Sequence, residues 1–256
     1  MIDSHCHLEF NHFDKDREKV IEKSRKKLKA LIDSSAGIES FETVLTLHRD
    51  CSDFIFSSLG LHPTRAVNTS EEELEDYKKK IEMNKREIVG VGEVGLDYHH
   101  IKDKSRREKS KKIFSDFTKF SDELNLPLIV HSRNSMEDAL NILSEKDVNE
   151  VIIHCFAGNI NDLEEALDRD YYLSFGGIIF RAKDKYENIL KKVPLENLLL
   201  ETDSPFLAKR KNNRAEPWFI KEVGERIAKI KGEEFYEVWK TAGRNAKEVF
   251  DLPVNL

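Results

Sequence analysis

Cysteine is scarce in this sequence: Cys6, Cys51 and Cys155 are all it has. Three thiols cannot all pair, and none stands at the spacing of a paired-ligand motif. That excludes a disulfide framework or a zinc ribbon and points to a reducing, cytoplasmic setting. Long apolar runs are missing too, so no membrane span is expected. The start has no basic-then-apolar-then-small pattern, and no signal peptide is expected from it. No Gly/Ser-rich linker or low-complexity stretch divides the chain. An excess of positive charge is also absent. The formal charge is −6, so a polyanionic partner would need a local basic patch or bound metal to offset it.

What is present is a regular alternation of short apolar runs and charged, periodic stretches. The runs at Met1–Ile2 leading into Asp3, Ala30–Asp33, Phe54–Leu59, Ile88–Glu93, Leu128–His131, Val151–His154, Tyr172–Phe175 and Leu198–Asp203 read as buried strands. Helical patterns lie between them, over residues 13–29, 40–49, 70–84, 105–125 and 135–144. The pairs Ser70/Glu73, Asn161/Glu164 and Asp184/Glu187 read as capping boxes, and Ser135 as an N-cap. Two terminal helices, 216–231 and 233–250, are divided at Gly232. Eight strand–helix units in 256 residues predict a (β/α)8 TIM barrel occupying residues 1–256 as one domain. No glycine-rich fingerprint follows the first strand, which argues against an open dinucleotide-binding sheet.

In such a barrel, reactive groups stand at the C-terminal ends of the strands. His5 and His7 follow strand one, Glu93 strand four, His131 strand five, His154 strand six and Asp203 strand eight. Alternation along a strand puts His5 and His7 on one face, about 7 Å apart, and Cys6 on the other. Any one of these could be a satisfied polar core residue. All of them at one rim would be a costly collection of buried polar groups unless they share a partner. A common metal centre removes the difficulty. The set exceeds what one tetrahedral ion needs. Two ions about 3.5–4 Å apart use all of it, bridged by Glu93. His5, His7 and Asp203 would complete one ion, His131 and His154 the other. Two divalent ions, two carboxylates and one hydroxide leave about +1, suited to a singly charged phosphodiester. Asp203 is the candidate to take the proton of the attacking water.

The motifs Asp3-Ser-His-Cys-His-Leu8, Gly60-Leu-His-Pro63, Gly92-Glu-Val-Gly-Leu-Asp-Tyr98, Pro127-Leu-Ile-Val-His-Ser-Arg133, His154-Cys-Phe-Ala-Gly158 and Leu200-Glu-Thr-Asp-Ser-Pro205 run in order along nearly the whole chain. Together they resemble the successive motifs of the TatD family of metal-dependent deoxyribonucleases. The resemblance implies a barrel of the metallo-dependent hydrolase superfamily and a two-metal centre. It also implies Mg2+- or Mn2+-dependent cleavage of DNA from a strand end, with Zn2+ a further candidate metal. The same residues, His5, His7, Glu93, His131, His154 and Asp203, would be the ligands. The chain departs from the family pattern at Lys209, Ala215 and Ser110, the first two in the loop after strand eight.

Around this constellation, His62, Tyr98, Arg133, Lys209 and Arg210 are candidate substrate contacts. Arg133 suits a bidentate phosphate contact, and Lys209-Arg210-Lys211 with Arg214 forms a local basic run that could hold DNA against an acidic protein. Phe156, Phe206 and Trp218 are candidates for base stacking or for core packing. Cys6 and Cys155 alternate away from their neighbours and read as buried filler. Two rival functions remain from the residues alone. One is hydrolysis of another ester or amide bond, such as an aminoacyl ester on RNA; the absence of lysine from Ile88–Glu93 weighs toward phosphoesters. The other is a non-catalytic metal protein. No membrane and no stable protein partner are expected.

Overall fold

The computed structural model describes residues 1–146, 148, 150–210 and 212–256. Its strands are β1 (Ile2–Cys6), β2 (Ala30–Ser34), β3 (Ile55–Leu59), β4 (Ile88–Asp97), β5 (Leu128–Arg133), β6 (Val151–Ile153), β7 (Tyr172–Phe175) and β8 (Leu198–Leu200). Each pairs in parallel with the next, in the order β1 to β8. The helices are α1 (Arg17–Arg25), α2 (Phe41–Asp50), α3 (Pro63–Ala66), α4 (Glu71–Met83), α5 (Lys104–Leu124), α6 (Met136–Ser144), α7 (Ile160–Leu167), α8 (Lys183–Lys192), α9 (Ile220–Lys231) and α10 (Phe235–Val249). The segment after β8 swings back against β1. The Asp203 N–H donates to the His5 carbonyl at 3.0 Å, and the His7 N–H to the Ser204 carbonyl at 2.7 Å. The buried Asp3 carboxylate clamps this seam, accepting from the Thr202 N–H at 2.9 Å and the Thr202 hydroxyl at 2.6 Å. The result is the expected (β/α)8 barrel, nearly closed. No described helix is long and apolar enough to cross a membrane.

Two apolar layers follow from strand alternation. Ile2, Ala30, Ile32, Phe56, Ile129, Ile152 and Leu199 come from six strands and pack with Phe250, Leu252 and Val254, past the end of α10. The C-terminal segment therefore fills the end of the barrel where the strands begin, leaving the opposite mouth for chemistry. The larger cluster, with Leu31, Ile55, Val130, Ile153 and Leu173 facing Phe114, Phe117, Leu140 and Ile227, joins strands to helices.

Two irregularities in strand register turn side chains toward that mouth. Ile2 belongs to the inner layer and Cys6 to the outer one, although they share parity. The phase changes where the β1–β2 register shifts, between Asp3 and Cys6. A second shift, between Val91 and Val94, lies in β4 around Glu93. Gly92 there has φ +155°, and a Cβ on it would stand 2.5 Å from the Ile129 Cβ. Only glycine lets β4 approach β5 this closely.

Helix starts agree with the sequence in part. Ser70 and Glu73 form the capping box of α4. The box on α7 is one residue pair earlier than expected, Asn159 with Asp162, because the Asn159 oxygen reaches the N–H groups of Asn161 and Asp162 at 2.7 and 3.3 Å. Ser135 stands at the N-cap of α6 but spends its hydroxyl on the Leu96 carbonyl at 2.9 Å. α8 starts at Lys183 with no side-chain cap, so Asp184 lies inside its first turn. Residues 217–219 form a 3-10 turn before α9. Gly232, with φ +71°, ends α9 as expected.

Candidate metal centre

The six expected ligands reach the open mouth from the ends of five strands, His5 and His7 sharing β1. The side chain of Glu93 is buried at the centre. Its Oε1 faces His7 Nε2 at 3.6 Å. Its Oε2 faces His154 Nε2 at 3.1 Å, His131 Nδ1 at 3.4 Å and His5 Nε2 at 3.8 Å. Asp203 Oδ1 stands 3.5 Å from His7 Nε2. Two pairs of ring nitrogens meet head to head, His5 Nε2 with His7 Nε2 at 3.2 Å and His131 Nδ1 with His154 Nε2 at 3.1 Å. Both nitrogens of each pair also face oxygens of Glu93, which can only accept, so a cation among them would relieve the crowding of lone pairs. His5, His7 and Glu93 form one group able to hold an ion, and Glu93, His131 and His154 another. The donor set suits divalent cations that accept imidazole and carboxylate together.

The far sides of His5 and His7 are hydrogen-bonded, and those of His131 and His154 face carboxylates at ion-pair distance. His7 Nδ1 lies 2.7 Å from the Ser34 carbonyl, and His5 Nδ1 lies 3.1 Å from the Ser34 hydroxyl. His154 Nδ1 faces Glu201 Oε2 at 3.6 Å, and His131 Nε2 faces Asp97 Oδ2 at 3.5 Å. These partners orient the rings and set which nitrogen carries the proton. Asp97 and Glu201 are buried, and Glu201 is hydrogen-bonded by the Ser174 hydroxyl. Asp97 also holds His100 Nδ1 at 2.7 Å. Sequence reasoning did not single out Asp97, because it ended strand four at Glu93. The strand continues to Asp97, and the signal lay in its alternation: Glu93 and Asp97 are an even number of residues apart. Glu201, two residues before Asp203, stands behind His154.

Electrostatics reflect a cluster shaped for positive charge. Burial pushes the Glu93 carboxyl up, but the surrounding imidazoles of His62, His131 and His154 outweigh it and hold the group well below the usual carboxylate range. Burial and the neighbouring rings of His154 and His7 press His5 toward the neutral form. His154 goes the other way: burial lowers it, yet Glu201 and Glu93 raise it to about 10. Asp97 is depressed, since bonds from His131 and His100 outweigh its burial.

Of the expected ligands, His7, Glu93, His131, His154 and Asp203 line a cavity of about 1100 Å³, together with His62, Arg133, Cys155 and Phe206, while His5 lies beneath it. His62 is lowered to about 3, by burial and then by His131. Its Nδ1 is taken by the Thr64 hydroxyl at 2.7 Å, and its ring lies 4.3 Å from that of His131. Arg133 is exposed on the cavity wall. Three other expected contacts stand off the wall. Tyr98 donates to Asp138 at 2.5 Å beneath Arg107. Lys209 pairs with Glu222 at 2.7 Å, and Arg210 is exposed outside the cavity lining. Lys211 lies outside the described residues. Arg214 does line the cavity, but Asp16 and Glu216 hold it at 2.7 and 2.9 Å. Cys6 is buried filler as expected. Cys155 instead turns to the cavity, with φ +46°.

Residues 2–251 match the family model described as TatD related DNase. The chain belongs to that family. Among TatD relatives, a Bacillus subtilis protein, uncharacterized metal-dependent hydrolase YabD, is 34% identical over 98% of this chain and 99% of its own. Human deoxyribonuclease TATDN3 is 31% identical over 98% of this chain and 94% of its own. The crystal structure of YjjV, a TatD homologue from Escherichia coli, superposes with a TM-score of 0.91 at 27% identity. It covers 99% of this chain and 98% of that one. As a TatD protein, the chain is a metal-dependent hydrolase, and its imidazole–carboxylate groups are placed to bind metal.

Proposed function

We propose that this protein is a metal-dependent deoxyribonuclease, a phosphodiesterase that removes nucleotides from a DNA end in the cytoplasm, with residues 1–256 acting as one barrel domain. The observation that carries the reading is the position of Glu93. One of its oxygens faces His7 and the other faces His131, His154 and, at 3.8 Å, His5, so the carboxylate stands between the two imidazole pairs, where two cations could share it. In this reading His5, His7, Glu93 and Asp203 hold one ion, and Glu93, His131 and His154 hold the other. Bound Mg2+ or Mn2+ would neutralise phosphate charge and supply hydroxide at neutral pH.

The chain's own groups do the rest. Asp203 is the least buried ligand carboxylate, its side chain 15% exposed against 5% for Glu93. It lines the cavity and would take the proton of the attacking water. Arg133 holds a phosphate from the wall. His62 stays neutral, and with Nδ1 occupied by Thr64 it offers Nε2 to the substrate. The name of the human relative, deoxyribonuclease TATDN3, supports DNA as substrate.

The test is an assay of metal-stripped protein, with Mg2+ or Mn2+ restored, on end-labelled single-stranded DNA. An aminoacyl-RNA and a simple phosphodiester run beside it. Metal-dependent shortening of DNA from one end is expected. Cleavage of the aminoacyl ester with silence on both phosphodiesters would overturn the assignment in favour of ester hydrolysis.

A further inference from the structure

We propose that Phe206, backed by Phe10 and His12, is the seat for the nucleobase attached to the phosphate at the metal centre, so that the substrate is an unpaired nucleotide at a strand end. The proposal rests on the phosphodiesterase reading above and says which part of a DNA substrate the cavity recognises.

Among the described residues four large apolar side chains are exposed, Met83, Phe206, Tyr236 and Leu256, and of these only Phe206 lines the cavity. It keeps 42% of its surface open to solvent. The other aromatics singled out from sequence are spent elsewhere. Phe156 is fully buried in the core. Trp218 lies under the ammonium groups of Lys23 and Lys27, at 5.5 and 5.4 Å, and does not line the cavity. Phe206 is also held in orientation. Its ring meets those of Phe10 at 5.6 Å, His12 at 5.7 Å and His7 at 6.1 Å, all inclined by 67–74°. An aromatic ring held in place by its neighbours and open to the cavity offers a flat ligand a stacking partner at little cost in ordering.

Its position relative to the reacting groups is close. Phe206 follows Asp203 by three residues, and its N–H donates to the Asp203 carbonyl at 2.8 Å. Its ring also touches that of His7, itself beside Glu93. The rest of the cavity wall differs in character. Arg133 and Arg181 line it without a side-chain hydrogen bond or ion pair among the described residues. By contrast, Arg65 pairs with Glu39 at 3.0 Å and Arg214 is doubly held. The cavity thus offers a ring-shaped apolar seat, a metal-binding floor and free guanidinium groups. That combination matches a flat base joined to a phosphate chain. A base within a duplex is already stacked on its neighbours, so using this seat requires an unpaired one.

The experiment compares two probes by calorimetry on Mn2+-loaded protein: deoxyadenosine 5′-monophosphate, and 2-deoxyribose 5-phosphate, which lacks the base. Wild type should bind the nucleotide about ten- to a hundredfold more tightly than the sugar phosphate. Phe206→Ala should erase most of that gap while leaving sugar-phosphate affinity unchanged, and Phe206→Trp should keep the gap. Equal affinity of wild type for both probes, or a gap that survives Phe206→Ala, overturns the stacking seat while leaving the phosphodiesterase reading intact. Failure of the metal-loaded protein to bind either probe overturns both.

Discussion

Replacing Asp97 by asparagine isolates one of the two proposed ions. His131 presents Nδ1 to Glu93 and His154, at 3.4 and 3.1 Å. To coordinate through Nδ1, the ring must carry its proton on Nε2, and that nitrogen points at Asp97, 3.5 Å away. The Asp97 charge therefore fixes both tautomer and ring orientation, and raises the basicity of the ligating nitrogen. Losing such a partner costs about 10–100-fold in metal affinity. The other group, His5 with His7, is oriented from Ser34 and has no contact with Asp97. Titration of metal-stripped Asp97→Asn with Mn2+ should thus show one site weakened by about 10–100-fold and the other little changed. Equal weakening of both sites, or of neither, would refute the assignment of Asp97 to His131.

Further outcomes follow from the same geometry. Glu93→Gln removes the shared carboxylate, so metal-dependent cleavage should fall by about a hundredfold or more, and calorimetry should find no tightly coupled pair of sites. In the metal-free protein, His154 is raised from its ordinary value to about 10. The stability it contributes is complete below about pH 6.5 and is lost as pH climbs toward 10. Melting temperature should fall across that interval, and Glu201→Gln should flatten the fall. Because cations compete with this proton, Mn2+ affinity should rise about tenfold per pH unit for each proton displaced. Gly92→Ala would place its Cβ 2.5 Å from Ile129 at φ +155°. A cost of about 1–3 kcal/mol or more predicts a melting point lower by about 3–10 °C, together with weakened metal binding through the displaced Glu93.

Much of this molecule was legible in its residues. The repeat of apolar run and amphipathic helix dictates the barrel, because a strand apolar on both faces is stable only when covered on both. It also announced where His5, His7, Glu93, His131, His154 and Asp203 would come together, since each sits at or just past such a run. Helix starts were less readable. The pattern puts the cap of α7 at Asn161, but the extended backbone at Asn159 makes that residue the cap.

What folding alone decided is how those groups are supported. Alternation counted from Ile2 would turn His5 outward; the register shift in β1 turns it in. Asp97 behind His131 and Glu201 behind His154 are contacts between different strands, invisible to any local pattern. The fate of the cations was equally hidden: Lys209 and Arg214 are drawn into ion pairs, while Arg133 and Arg181 stay free among the described residues. Local sequence sets which face of an element is apolar and where a polar group interrupts it. Which charges meet depends on how the closed ring of strands brings distant residues side by side.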